Sequence, residues 1–345
     1  MPIPDPITRA IHALADRQNL AAGLTEEAFA QVMSGQASPT QMAALLMGLR
    51  VKGETADEVV GAVRALRGAM VRLEADQDGL VDTCGTGGGK VGTFNISTAA
   101  AVVAAGAGAR IAKHGNRSFT SRSGSADVLE ALGVKLPATA AHARRLLDAA
   151  GMTFLFAPLF HPAMKHVGPI RRELAMHTVM NILGPLANPA GVRRQVVGVA
   201  DAARAPLIAG ALATLGCEHG FVVHARAGMD EISPVGPTDV WEIGEGTVTT
   251  WTLEPAQWKL GGGALEELAG GTPDDNARMT LGIVANEDRG IRRSAVVLNA
   301  AAALVAAGRV KSWDAGVDAA VAALDTGGAR RVLEKLTAES AASTS

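Results

Sequence analysis

The stretch Cys84-Gly85-Thr86-Gly87-Gly88-Gly89-Lys90-Val91-Gly92-Thr93-Phe94-Asn95-Ile96-Ser97-Thr98 constrains this chain more than any other part of it. It follows a short apolar strand, Leu80-Val81-Asp82-Thr83, and runs directly into a helical segment, residues 96 to 107. Glycines let backbone N–H groups turn toward a ligand without obstruction by Cβ. The start of a helix adds the positive end of its dipole, so strand, glycine loop and helix together suit a phosphate. Asn95, Ser97 and Thr98 add side-chain donors at the same place. The competing interpretation is a plain glycine turn with Asn95 or Ser97 as helix cap. A P-loop is ruled out, because Gly89-Lys90 is followed by Val91 and Cys84 stands where the first glycine belongs. A dinucleotide fingerprint can be laid on Gly87, Gly89 and Gly92. About 20 residues on, where NAD binding wants an acid, the chain has Lys113-His114, which leaves NADP as a poor second ligand.

Around this loop the pattern is that of an α/β protein. Before it, residues 1 to 75 read as helices only, with capping boxes at Ser38-Pro39-Thr40-Gln41 and Thr55-Ala56-Asp57-Glu58. The apolar positions Met42, Leu45, Leu46, Leu49 and Val59, Val60, Val63, Leu66, Met70 each line one helical face. After it, strands are expected at residues 109–112, 153–156, 196–199, 221–224 and 247–251, with helices at 126–132 and 206–215. Such alternation implies a mainly parallel sheet covered by helices. Three further helices, residues 294–307, 314–324 and 330–336, would cover a sheet face.

Two more segments carry chemistry. Lys113-His114-Gly115-Asn116-Arg117-Ser118-Phe119-Thr120-Ser121-Arg122-Ser123-Gly124-Ser125 follows the expected second strand, at the carboxyl end where open α/β sheets place ligands. Its cations and hydroxyls offer a core little and offer a phosphate a second wall. Asp230-Glu231, after the strand at 221–224, pairs hard oxygen ligands of the kind Mg²⁺ uses together with substrate phosphates. Other signals are weaker. His161 and His166 are spaced off one helical face and are not expected to share a metal. Arg171-Arg172-Glu173 suggests a surface ion-pair cluster, and Asn181-Ile182-Leu183-Gly184-Pro185-Leu186 a substrate-facing hinge.

Composition narrows the class. The chain has 345 residues, suggesting about two domains. Its net charge of -2 argues against a dedicated nucleic-acid or membrane-surface binder. The 40 glycines are an excess over the usual level of about 7%. The cysteines, Cys84 and Cys217, are too few for a disulfide framework and have no zinc spacing. Charged residues interrupt the first twenty positions, so no signal peptide is expected and a cytoplasmic protein is the default.

Taken together, these residues resemble the anthranilate phosphoribosyltransferases of tryptophan biosynthesis. The matching blocks are Gly85-Thr86-Gly87-Gly88, Thr93-Phe94-Asn95-Ile96-Ser97-Thr98, Lys113-His114-Gly115-Asn116-Arg117, Ser123-Gly124-Ser125-Ala126-Asp127, His161-Pro162-Ala163-Met164, Arg171-Arg172-Glu173-Leu174, Asn181-Ile182-Leu183-Gly184-Pro185-Leu186 and Asp230-Glu231-Ile232-Ser233, in the family's order. The resemblance implies a small all-helical domain, residues 1–75 with a returning segment at 165–190. It also implies a larger α/β domain, residues 76–164 and 191–345, and a homodimer joined through the helical domains. It implies that phosphoribosyl pyrophosphate is held by Gly85, Gly88, Gly89, Thr93, Asn95, Ile96, Ser97, Thr98, Lys113, His114, Gly115, Asn116, Arg117, Ser118, Ser121 and Ser125. Anthranilate would lie at Gly85, Asn116 and Arg171, and Mg²⁺ at Ser97, Asp230 and Glu231, with Lys113 acting electrostatically and no covalent nucleophile. The chain departs from the family at Gly89-Lys90, where an Asp is usual, and at Ala175-Met176-His177-Thr178, where Gly-Val-Arg-Thr is frequent.

The activity so implied is displacement of pyrophosphate at ribose C1 by the amino group of anthranilate. Two rivals stand beside it. A pyrimidine-nucleoside phosphorylase would have no need of the Asp230-Glu231 pair, and a nucleic-acid-binding relative of the same fold would want a basic surface.

Overall fold

The computed structural model describes residues 4–89, 91–118 and 122–342; Lys90 and Ser121 lie outside the described residues. Four helices come first: α1 (Pro6–Ala15), α2 (Ala22–Met33), α3 (Pro39–Lys52) and α4 (Ala56–Gly68). Both expected capping boxes form, Ser38 with Gln41 and Thr55 with Glu58, each cap contributing about 1 kcal/mol. The chain continues with β1 (Leu80–Gly85), α5 (Ile96–Gly106), β2 (Arg110–Gly115), α6 (Ser125–Ala131), α7 (Ala140–Ala150) and β3 (Met152–Phe156). Next come α8 (Ala157–Phe160), α9 (Met164–Leu174), α10 (Met180–Leu183), β4 (Arg194–Gly198), α11 (Ala205–Thr214) and β5 (His219–Ala225). The last elements are β6 (Thr238–Gly244), β7 (Thr247–Leu253), α12 (Pro273–Val284), α13 (Ile291–Ala306), α14 (Trp313–Asp325) and α15 (Gly328–Ala342).

The strands make one sheet of order β3-β2-β1-β4-β5-β6-β7. From β3 to β5 every pairing is parallel, whereas β5, β6 and β7 are antiparallel. The fold is thus a helical N-terminal bundle plus a larger α/β unit with a mostly parallel sheet. β6 was not among the expected strands, and the strand expected at 247–251 pairs with it as a hairpin. The two-residue turn Glu245-Gly246 joins them with both φ positive, at 51° and 75°, the backbone that matches strand twist. Helices α7 and α12 also go beyond the expected set.

One face of the sheet is covered by α5 and α12 to α15, with nearly all of α5 and most of α13 buried at the centre of the core. Alanine dominates these helices because they touch several neighbours at once: a Cβ on Gly106 would lie 2.5 Å from the backbone of Ala329. On the other face, α11 and the inward sides of β4 and β5 join the core of α1 to α4, α9 and α10. The link is reinforced where Arg67 of α4 donates twice to the Leu186 carbonyl, at 2.9 and 2.7 Å. The expected hinge at 181–186 is accordingly α10 and a tight 3-10 turn, with Ile182, Leu183 and Leu186 buried.

Candidate active site

The glycine loop leaves the carboxyl end of β1, and β2 ends beside it with Lys113, His114 and Gly115 still in the sheet. Because β2 runs past the expected end at residue 112, the pleat sends Lys113 and His114 to opposite faces. Lys113 points toward α5. Its buried ammonium donates to the Thr83 carbonyl and, at 3.2 Å, to Ser97 Oγ in the first turn of that helix. Burial lowers its pKa, opposed mainly by the charge of Asp82. His114 points away, its Nδ1 3.1 Å from the Gly184 carbonyl and its ring centroid 5.0 Å from that of His161. Burial and the neighbouring ring hold His114 neutral, its pKa lowered to about 3, and burial lowers His161 to about 4. His166 packs separately, against Gly35, so the two histidines do not converge.

Asp82, fully buried on the His114 side, fixes the end of β2. It accepts the His114 backbone N–H at 3.0 Å and an N–H of Asn188 at 2.8 Å. Burial pushes its pKa up, and Lys113 opposes that most.

Asn95 stands at the N-cap of α5 but makes no capping bond with its side chain. Its Nδ2 donates to the Ser123 carbonyl at 3.2 Å, and its Oδ1 accepts from Ser123 Oγ at 3.1 Å and from Asn276 at 2.9 Å. This one side chain ties the glycine-loop exit to the polar segment after β2. Ile96 and Thr98 are buried in the core, so their side chains do not face solvent beside Ser97.

Asp230 and Glu231 lie in the loop between β5 and β6 and reach the glycine loop from the other side. Glu231 accepts the Thr93 hydroxyl at 3.2 Å. The Asp230 carboxylate oxygens lie 3.2 Å and 3.1 Å from where a Cβ would stand on Gly85 and Gly89. Both acids are drawn above their ordinary pKa by burial, Glu231 further by the charge of Asp230. Neither makes an ion pair among the described residues, and no group of three His, Cys, Asp or Glu side chains there could cage a metal by itself. Two half-buried carboxylates short of a cation fit Mg²⁺, which takes few protein oxygens and completes its shell from phosphate and water. Ser97 is engaged by Lys113 and shares no hydrogen bond with either acid.

The remaining expected residues are placed as follows. Gly115 packs against Phe154 and Ser125, and Gly88, at φ 79°, lies under the ring of His177, whose Cε1 is 3.4 Å from a Cβ position there. Asn116 Oδ1 accepts the Arg117 N–H at 2.7 Å, and the Ser118 N–H donates to Asp127 at 3.1 Å. Arg117 is committed elsewhere: its guanidinium donates to Asp127 at 3.0 Å and to both oxygens of Glu130, and stands 5.7 Å from the Phe156 ring. Arg171, in the last turn of α9, is half-buried with its pKa lowered by that burial. The expected ion-pair cluster is absent: Arg171, Arg172 and Glu173 form no salt bridge among the described residues. Sequence reasoning missed Asp82, Asn188 and Asn276 as supports of the site, and Asn299, which accepts the Ile232 N–H at 3.1 Å and donates to the Ile232 carbonyl at 2.8 Å next to Glu231. The capping box in Thr272-Pro273-Asp274-Asp275 signals the start of α12 but not the reach of Asn276 to Asn95.

The glycosyl transferase family a/b domain matches residues 77–330, and the glycosyl transferase family helical bundle domain matches residues 8–70. An anthranilate phosphoribosyltransferase of Symbiobacterium thermophilum is 46% identical over 94% of this chain and 95% of its own, and one of Rubrobacter xylanophilus is 48% identical over 95% and 96%. Among solved structures, the Thermus thermophilus anthranilate phosphoribosyltransferase superposes with TM-score 0.92 at 40% identity, covering 98% of this chain and 100% of that one. The Saccharomyces cerevisiae enzyme, solved in complex with PRPP and Mg, does so with TM-score 0.89 at 29% identity, over 97% and 98%.

Proposed function

This chain belongs to the anthranilate phosphoribosyltransferase family, and from that premise we propose how its residues carry out the family's reaction. The reaction transfers the phosphoribosyl group of 5-phosphoribosyl 1-pyrophosphate to the amino group of anthranilate, giving N-(5-phosphoribosyl)anthranilate and pyrophosphate in tryptophan biosynthesis. The bond from ribose C1 to the pyrophosphate oxygen breaks, a C1–N bond forms, and the nitrogen gives up a proton.

The aryl amine is neutral near pH 7, so no strong base is required, and loss of pyrophosphate leaves an oxocarbenium-like centre at C1. The protein's work is alignment and charge. Backbone N–H groups of the glycine loop, the start of α5 and the Asn95 amide would face the phosphates. Lys113, buried behind Ser97, would act as a fixed positive charge beneath them. Arg171, with no carboxylate partner of its own among the described residues, would clamp the anthranilate carboxylate, with Asn116 and Gly85 beside the ring. Asp230, Glu231 and Ser97 would hold Mg²⁺, which when bound would neutralise charge on the leaving pyrophosphate. The observation that carries this reading is the hydrogen bond from Thr93 to Glu231, which joins the acid loop to the phosphate loop.

We further propose a cytoplasmic homodimer joined through the helical domains, with the domain division at residues 75/76 and the returning segment 165–190. Two thiols without a disulfide, Cys84 and Cys217, support a reducing compartment. Val51, 74% exposed on α3, leaves an apolar side chain open on the bundle. Among the described residues no helix is long and apolar enough to cross a membrane.

Anthranilate fluorescence, followed on mixing with phosphoribosyl pyrophosphate across a Mg²⁺ titration with a DNA-binding control, tests the assignment. Fluorescence loss that tracks Mg²⁺, without DNA binding, is expected; a rate independent of Mg²⁺ overturns the metal role.

A further inference from the structure

Asn95 is where the two phosphate walls meet, and its orientation is set from outside them. A carboxamide can present either its oxygen or its nitrogen to a ligand, and only the surrounding hydrogen bonds decide which. Here the decision can be followed back to a donor that cannot flip. The Gly271 backbone N–H donates at 2.7 Å to the side chain of Asn276, so the atom facing it must be Oδ1. Asn276, 2% exposed on α12, therefore turns its Nδ2 to Asn95, 2.9 Å away, and the Asn95 atom that receives it must be Oδ1. With Ser123 Oγ as a second donor at 3.1 Å, both lone pairs of that oxygen are filled. The Asn95 nitrogen gives one N–H to the Ser123 carbonyl at 3.2 Å, and the other has no acceptor among the described residues.

The segment that supplies Gly271 also holds the loop itself. The Phe94 N–H donates to the Leu268 carbonyl at 2.9 Å, the Gly270 N–H donates to the Gly92 carbonyl at 2.8 Å, and Thr93 bridges Ala269. A Cβ on Gly270 would stand 2.6 Å from the Thr93 carbonyl oxygen, so this contact is backbone on backbone. Residues 268–276 thus fix both the path of the loop exit and the face its asparagine shows.

We propose that Asn276 is a positioning residue for the phosphoribosyl pyrophosphate site: by holding Asn95 oxygen-inward it keeps an amide N–H, and not a carbonyl oxygen, directed at the substrate's phosphate oxygens. The inference rests on the functional reading above and adds a residue that never touches substrate. Its reach is selective. Asn95 is not among the residues assigned above to anthranilate (Gly85, Asn116 and Arg171), so on this proposal Asn276 governs one substrate and leaves the other alone.

Asn276→Asp tests it. The substitution is isosteric and keeps an acceptor for Gly271, but sets an oxygen against Asn95 Oδ1, so the Asn95 amide must flip or be repelled. The KM for phosphoribosyl pyrophosphate should rise roughly 10- to 100-fold, the size of a lost hydrogen bond to a charged group, with the KM for anthranilate unchanged. In an Asn95→Ala background the same substitution should add less than about twofold, because the residue acts through Asn95. Asn276→Ala, which adds no charge, should give the same pattern with a smaller rise. Binding of phosphoribosyl pyrophosphate alone, by calorimetry, separates the two readings. A wild-type chain that binds it without converting anthranilate contradicts the reaction and leaves the Asn276 assignment to be judged by the calorimetric affinities of the variants. Equal rises for both substrates, or full additivity with Asn95→Ala, would overturn the positioning role.

Discussion

The backbone carbonyl of Asp230 occupies the place that a Cβ on Gly198 would need. Gly198 ends β4, next to Gly85 at the end of β1, and its own carbonyl accepts the Thr86 N–H at 2.9 Å. The acid loop can therefore cross the end of β4 only because that strand ends in glycine, and Gly85 beside it leaves the Asp230 carboxylate further room. Gly198→Ala should push the Asp230 loop outward, destabilise the fold by about 1–3 kcal/mol and lower kcat/KM at least about tenfold. Thermal melts and steady-state rates measure the two effects, and a fully active, fully stable variant would show that the loop has room to spare.

Asp230 and Glu231 are assigned to one metal ion, so their charges should matter together. Asp230→Asn combined with Glu231→Gln should lower Mg²⁺-dependent turnover on the order of hundredfold or more, while relieving two half-buried neighbouring carboxylates and leaving the melting temperature equal or higher. Rates unchanged across a Mg²⁺ titration of the double variant would remove the assignment.

For Arg171 the expectation is a split between substrates. A half-buried guanidinium without an ion-pair partner among the described residues is available to a carboxylate ligand. Arg171→Ala should raise the KM for anthranilate about 10- to 100-fold and barely move that for phosphoribosyl pyrophosphate. The reverse pattern would place the residue on the other substrate.

His114 and His161 predict how stability depends on pH. Both are buried and neutral, with folded pKa values of about 3 and about 4 against an ordinary 6.5. Between those limits the unfolded chain binds more protons than the folded one. Stability is therefore fully present above pH 6.5 and is lost as pH falls toward 4, at a slope approaching about 1 kcal/mol per pH unit for each histidine. Chemical denaturation between pH 7 and 5 measures this slope. His161→Gln should make it shallower, and a slope unaltered by that change would assign the loss to other groups.

Much of this site was legible in one dimension. Capping boxes, the glycine loop between strand and helix, and a polar segment after the next strand are local chemistry, and the structure keeps them where the sequence placed them. Lys113-His114 shows the limit. As a loop it read as one basic wall, but β2 extends through Gly115 and the pleat turns the two side chains to opposite faces. Arg117 read as a phosphate ligand, and its guanidinium is taken up by Asp127 and Glu130 one helix away.

The glycines divide in the same manner. Sequence alone marked a glycine-rich run after a strand and before a helix start, the pattern that suits a phosphate, because that signal is a run of neighbours with a common backbone consequence. That Gly85, Gly89 and Gly198 are also clearance for Asp230, and that the Asn95 side chain is held by an asparagine 181 positions away, only the tertiary structure decided. Those relationships come from strands and helices brought together by a sheet. A side chain's partner across such a distance is set by where the whole core places it, and no local pattern records that.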